Sequence, residues 1–543
     1  MTLKPIAAVL LLGTLLTGCD QGTGHSAGST VRPDGAVSYD FYLSGQTLYA
    51  VNRNAAQQAP QAVDTLAASD NAGSRYLDSF QDEHWLFSTA NFGSHGANNI
   101  QTGALLYVNG KHFFRLTSHG SKLPAPQQVS AEAQADRLCE VATPHLLRAS
   151  LEQFELKYHL PGKDGRCDNR DDVYKRIRFG MQANEAPETI SETTFFAAGI
   201  IGSNDRVKWY LALDDDKLVR YDARMGNATT LLRRNGMDEL SIDSEATDGK
   251  HSVLRITGGN TPGYFETLYV IDNESGKLSP EISNVRARRG GQAYLQYIGA
   301  QAGQHYYLAN ENDMLSFIRF SESGSSPATT IASGVGTAIG FAGGQLIYTS
   351  ELVNATEIRA IDVTARNPAA SDRLLKSGAN LAPFAVAQGR VFYNLGDSFP
   401  VHSYSAGSIK VDGSGEVSHK DARWVGYTTA NSFTSAFATP LASRLILARH
   451  VTIDAQGLWS GGELYSAAAA TAQPGSALGK VPAEVGRYNL VSADYDGSVI
   501  GHGYSADATQ MHLLISSEAS KATRLIGTDP NRVGWLTDWL AAH

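Results

Sequence analysis

The chain has 543 residues, enough for one large core or for two or three ordinary domains. Its net charge is −9, and its densest basic cluster, Arg286, Arg288 and Arg289, sits beside Gly290 and Gly291 as a solvated loop would, so no nucleic acid partner is expected. Only 18% of the residues are charged, below the ~25% usual for soluble domains, whereas 53 Gly, 23 Tyr and 19 Phe suit many short strands joined by tight turns.

At the N-terminus, Lys4 gives a short positive start, and Ile6 to Leu16 form an apolar run too short for a membrane span of ~20 residues. The run closes on Leu16-Thr17-Gly18-Cys19, which resembles the lipobox of bacterial lipoproteins. That resemblance implies that residues 1–18 are a signal peptide and that Cys19 is acylated and begins the mature protein. The alternative is an ordinary secretory signal that happens to contain a cysteine. No later apolar run approaches spanning length, so membrane attachment is expected to rest on the lipid. Asp20 resembles the residue that retains lipoproteins in the inner membrane of enteric bacteria, a rule that varies between bacteria. Cell membrane and outer membrane therefore both stay open, with the chain facing the periplasm or the cell surface. Residues 19–37 are rich in Gly, Ser and Thr and read as a flexible tether.

If Cys19 carries lipid, Cys139 and Cys167 remain, and an even remainder in an exported chain suggests one disulfide. Such a bridge closes a loop of about 28 residues, worth roughly 3 kcal/mol in the chain-entropy model. Two unpaired buried thiols are the alternative. Between the cysteines, Pro161 to Asp172 form the most charged and turn-rich stretch, expected to cap a hairpin of strands Phe154–Leu160 and Val173–Phe179. Asp164, Asp168, Asp171 and Asp172 offer the hard oxygens that calcium takes, although the EF-hand spacing is absent. A solvated hairpin tip, with Lys163, Arg166 and Arg170 offsetting the carboxylates, is the competing reading. No other cofactor is implied.

From residue 38 the texture is uniform. A strand ending in Asp, a polar turn and a second strand recur at Lys217–Leu231, Thr267–Leu278 and Glu357–Arg366. Asp222, Asp272 and Asp362 mark equivalent places separated by 50 and 90 residues, with a degraded copy, Leu315–Gly324, between the last two. A period of 40 to 50 with several short strands per unit is the signature of a β-propeller. The expected fold is all-β, a propeller of seven or eight blades over 38–543, with an insertion at about 118–175. The rival is a series of β-sandwiches. The strand-Asp-x-x-x-Gly ends resemble the blade ends of quinoprotein-like and other bacterial propellers. A lipid-anchored propeller is also similar in plan to the accessory subunit of the outer-membrane β-barrel assembly machinery, but no binding residue carries over from either.

Ser333 to Gly340 mimics a phosphate loop but lacks its Lys, and tight turns between repeats explain its glycines. No metal-type His spacing and no Gly-x-Ser-x-Gly elbow with usable partners is present, so no catalytic residue is assigned. At the C-terminus, Val533, Trp535, Leu536, Trp539 and Leu540 recur at helical spacing and are expected to form one short packed helix. Together these features imply a lipid-anchored envelope propeller that binds a protein partner or ligand as a scaffold or accessory. The alternative is an exported propeller enzyme, a lyase or hydrolase acting on carbohydrate or peptide at the central channel.

Overall fold

Antiparallel meanders follow one another along the chain. The computed structural model describes residues 37–65 and 104–128 with short gaps, 86–88, 140–146, 153–160, 173–180 and 188–193. It also describes 199–428 and 444–528 with short gaps, and 534–535. The protein is all-β, and the one helical segment among the described residues is the single 3₁₀ turn Pro368–Ser371. Among the described residues, and apart from the two-stranded pair Thr452–Ile453 with Trp459–Ser460, the strands fall in chain order into ten units, numbered here as sheets 1 (37–65), 2 (86–128), 3 (140–193), 4 (199–233), 5 (237–272), 6 (295–333), 7 (338–378), 8 (380–420), 9 (422–480) and 10 (488–528). Sheets 9 and 10 are joined by parallel pairing of Ala422–Thr428 with Tyr488–Ser492.

The core lies between successive sheets. Strands here are apolar on both faces because each face meets a different neighbour. In sheet 6, Tyr306, Leu308 and Phe317 pack onto Leu346 and Tyr348 of sheet 7, while Tyr307, Ala309 and Ile318 pack back onto Val253 and Leu268 of sheet 5. The same alternation continues: Ile358 and Ala360 of sheet 7 meet Leu381 and Val391 of sheet 8. Phe392 of sheet 8 then meets Trp424 and Leu447 of sheet 9. Tyr42 and Val51 of sheet 1 pack with Leu513 and Ile515 of sheet 10.

Polar contacts repeat across the same junctions. Arg220 of sheet 4 donates to the carbonyls of Ser275 (2.8 Å) and Gly276 (2.6 Å), just past the third strand of sheet 5. Arg319 of sheet 6 donates to Val363 O (2.8 Å) and Arg373 of sheet 7 to Val411 O, just past the third strands of sheets 7 and 8. A guanidinium on these carbonyls satisfies acceptors that the strand ladder leaves unpaired. Gly276 is required there: at φ +64° it admits no side chain without strain, and a Cβ would lie 2.1 Å from Arg220 Nη1. At the junction of sheets 8 and 9, Asn394 donates to Trp424 O (3.1 Å) and accepts from Trp424 N (2.8 Å), while the indole donates to Gly407 O (2.9 Å).

Asp222, Asp272 and Asp362 each end the third strand of their sheet, and the intervening sheet carries Phe317 to Ser321 at the same place in Met314–Ser321. The reason for Asp is local. Asp272 Oδ1 accepts from Ser275 N (2.7 Å), Ser275 Oγ (2.8 Å) and Glu274 N (3.1 Å), and Asp362 Oδ1 accepts from Thr364 Oγ1 (2.6 Å) and Thr364 N (2.9 Å). Hydrogen bonds to the turn hold both carboxyls below the usual carboxylate range. The Ser333–Gly340 segment is the turn from sheet 6 into sheet 7; a Cβ on Gly336 would lie 1.8 Å from Thr349 O.

One expectation is corrected. Gly534–Trp535 form a strand, not the start of a helix, and pair with the first strand as Tyr42↔Trp535 and Leu43↔Gly534. Val37–Ser44, which also pairs with Thr47–Asn52 and at Val37–Ser38 with His119–Gly120, thus gains a further hydrogen-bonding partner, which helical spacing in the sequence does not reveal. Of the stretch expected as an insertion, about 118–175, the described residues include Glu140–Leu146, Gln153–Leu160 and the start of Val173–Gly180, which are strands of sheet 3.

Candidate functional site

Four side chains meet between sheets 5 and 6. Sheet 5 carries two aligned cross-strand rows on one face, Glu239–Thr257–Glu266 and Ser241–Arg255–Leu268. A register shift between Ile242 and Ser244 accommodates Asp243 as an extra residue beside them. From sheet 6, the fully buried Tyr307 reaches across.

Asp243 Oδ2 accepts from Arg255 Nη2 (2.6 Å), Arg255 Nε (2.9 Å) and Tyr307 Oη (2.9 Å), and Oδ1 accepts from Ser241 Oγ (3.3 Å). Glu266 is served far less well. Its Oε1 lies 3.3 Å from Arg255 Nη1, and its buried Oε2 has no hydrogen-bond partner. The side chains of Asp243 and Glu266 are only 6% and 4% exposed, and that of Arg255 21%. Burial raises the Asp243 carboxyl more than Arg255 and its hydrogen bonds lower it. Burial likewise raises Glu266, with Asp243 and Glu239 adding repulsion against the attraction of Arg255. Burial alone would lower Arg255, but Asp243 more than offsets it, and the guanidinium stays above its ordinary value. Tyr307 is pushed well up by burial and by the Asp243 charge.

Chemically this is two buried carboxyls on one guanidinium, a proton-binding arrangement and a tie between two sheets. The other ion networks are more open. Arg359 bonds Asp372 and Glu357, and Lys376 and Tyr393 share Glu416, at the rims of sheets 7 and 8. Pairs of that kind contribute little to stability. Sequence reasoning missed Asp243, Arg255, Glu266 and Tyr307. The available signal was charge inside strands whose neighbours are apolar, as in Val253-Leu-Arg255-Ile and Phe265-Glu266-Thr-Leu.

Cys19, Cys139, Cys167, Asp164, Asp168, Asp171 and Asp172 all lie outside the described residues. The hairpin expected around the aspartates is present: Gln153–Leu160 pairs with Val173–Gly180 and closes at Leu160↔Val173. Among the described residues, no group of three or more His, Cys, Asp or Glu side chains is disposed to hold a metal, and no helix is long and apolar enough to cross a membrane.

No family model matches the chain, and no curated protein matches it. Solved structures align with it at low identity. A crystal structure of a eukaryotic initiation factor is 8% identical with a TM-score of 0.42, covering 81% of this chain and 95% of that one. Dipeptidyl peptidase 4 of Porphyromonas gingivalis is 10% identical with a TM-score of 0.41, covering 74% and 63%. An oligogalacturonate lyase in complex with manganese is 12% identical with a TM-score of 0.27, covering 57% and 94%. Likenesses this distant carry no argument about activity.

Proposed function

We propose that the protein is a lipid-anchored β-propeller of the cell envelope that binds a protein partner or ligand, with its sheets set as blades around one axis. The observation that carries this reading is the meeting of the chain's two ends. Among the described residues, sheets 4 to 10 pack in chain order, sheet 10 packs onto sheet 1 through Leu513, Ile515, Tyr42 and Val51, sheet 1 packs onto sheet 2, and Gly534–Trp535 adds a strand to sheet 1. Closing a ring by such a terminal strand protects edges that an open series of sheets would expose. The anchor is supported by the apolar run ending in Leu16-Thr17-Gly18-Cys19.

The enzyme alternative requires convergent polar groups open to substrate. The polar cluster of Asp243, Arg255, Glu266 and Tyr307 is enclosed between two sheets and so does not supply such groups. The test is to cross-link the full-length protein in intact cells, purify it from the envelope, and assay the same preparation on carbohydrate and peptide substrates. A stoichiometric protein partner and no turnover is the expected result. Turnover without a partner would replace this reading with the enzyme.

The pairing of Cys139 with Cys167 belongs to the same reading. The strand Glu140–Leu146, which follows Cys139 directly, begins at Glu140↔His159, beside the Leu160↔Val173 end of the hairpin whose loop contains Cys167. Thiol titration of the exported, denatured protein should find neither cysteine free. Two free thiols would remove the bridge.

A further inference from the structure

We propose that Glu266 is a proton-binding site that couples the junction of sheets 5 and 6 to pH, taking up a proton as pH falls and weakening the junction when it loses it. This goes beyond the envelope reading and does not depend on it. The argument is a count of donors. Asp243 accepts four hydrogen bonds, three of them on Oδ2 from Arg255 and Tyr307, and this set matches a carboxylate. Arg255 directs Nε and Nη2 at Asp243, leaving only Nη1, 3.3 Å away, for Glu266. One guanidinium therefore balances one carboxylate, and Glu266 Oε2, buried and without a partner, is left as an acid for which ionisation is costly.

The groups facing it set the sign. Glu239 and Asp243 come from the first strand of sheet 5 and Arg255 from the second; Tyr297 and Tyr307 come from the first and second strands of sheet 6. His305, two residues from Tyr307 and in contact with Tyr297, is the remaining titratable group on that face. Of these, Arg255 favours ionised Glu266, and Asp243 and Glu239 oppose it together with burial. A carboxyl raised on folding contributes stability that is fully present below its unfolded value near ~4.3 and is lost as pH rises through the folded value. Protonation involves no redox step: one solvent proton binds Oε2 and is released on ionisation.

The test is thermal unfolding of the full chain and of Glu266→Gln, a neutral side chain of the same shape, from about pH 4.5 to 8.5. The midpoints should converge at the acid end, and Glu266→Gln should unfold higher by about 1 °C at pH 8, the shift expected on a chain of this length. Parallel curves, or a Gln variant less stable throughout, would overturn the proposal. If the variant fails to fold, hydrogen exchange in the wild-type chain decides. Amides of Phe265–Asp272 and Gln304–Glu311 should lose protection with rising pH beyond the intrinsic change and beyond amides of sheet 8. Equal behaviour in sheets 5, 6 and 8 would overturn it.

Discussion

Arg255→Met should destabilise the protein by about 3–5 kcal/mol at neutral pH, the largest single-residue effect expected in the described core. The substitution keeps the length of the side chain and removes the only cation among Asp243, Glu266 and Tyr307. Asp243 then loses two of its four donors and remains buried with its charge uncompensated. The loss should shrink as pH falls, because protonating Asp243 and Glu266 removes the buried charge; both carboxyls are already raised by burial, so the relief begins above the ordinary carboxylate range. Replacing Asp243, Arg255 and Glu266 together by apolar residues of similar volume should cost little or stabilise by about 1–4 kcal/mol, since no charge is then left unpaired. Denaturant midpoints of the three proteins, with slopes compared, measure this. A single substitution no worse than the triple one would mean that the cluster is more open to water than its burial states.

Cys19→Ala should abolish membrane association. The expectation rests on Leu16-Thr17-Gly18-Cys19 at the end of a short apolar run and on the absence of any later run of spanning length in the sequence. A single acyl chain binds a membrane only marginally, whereas multiply acylated cysteines hold firmly, so the mutant should move wholly to the soluble fraction. Fractionation with labelled fatty acid reads both properties at once. A mutant that still sediments with membranes and takes up label would make the chain something other than a lipoprotein.

The sequence displayed its repeat where a physical constraint selected one residue. Asp at the end of the third strand accepts the turn's own amide and hydroxyl groups, and so Asp222, Asp272 and Asp362 stood out. Where another residue ends that strand, as with Ser321 or Lys410, the strand is as regular in space but its copy of the repeat is degraded in sequence. Glycines of the Ser333–Gly340 turn were likewise legible, because only a missing side chain lets Gly336 approach Thr349. The terminal strand was not. Two residues carry no periodicity, and what makes Gly534–Trp535 a strand is a partner nearly 500 residues away. The buried cluster was hidden for a related reason: Asp243, Arg255 and Glu266 stand on three different strands and Tyr307 on another sheet, and only the register brings them together.

The meeting of the chain's ends tests the ring most directly. Leu43→Cys and Gly534→Cys, introduced together into the full chain, occupy facing positions of an antiparallel pair. Facing residues in such a pair lie about 4.5–5.5 Å apart at Cα, within the span of a disulfide. After mild oxidation, mass spectrometry of the monomer should find one peptide linking residues 43 and 534, absent from either single variant. If that peptide is missing, or appears only in cross-linked dimers, the ends do not meet within one chain and the ring is contradicted.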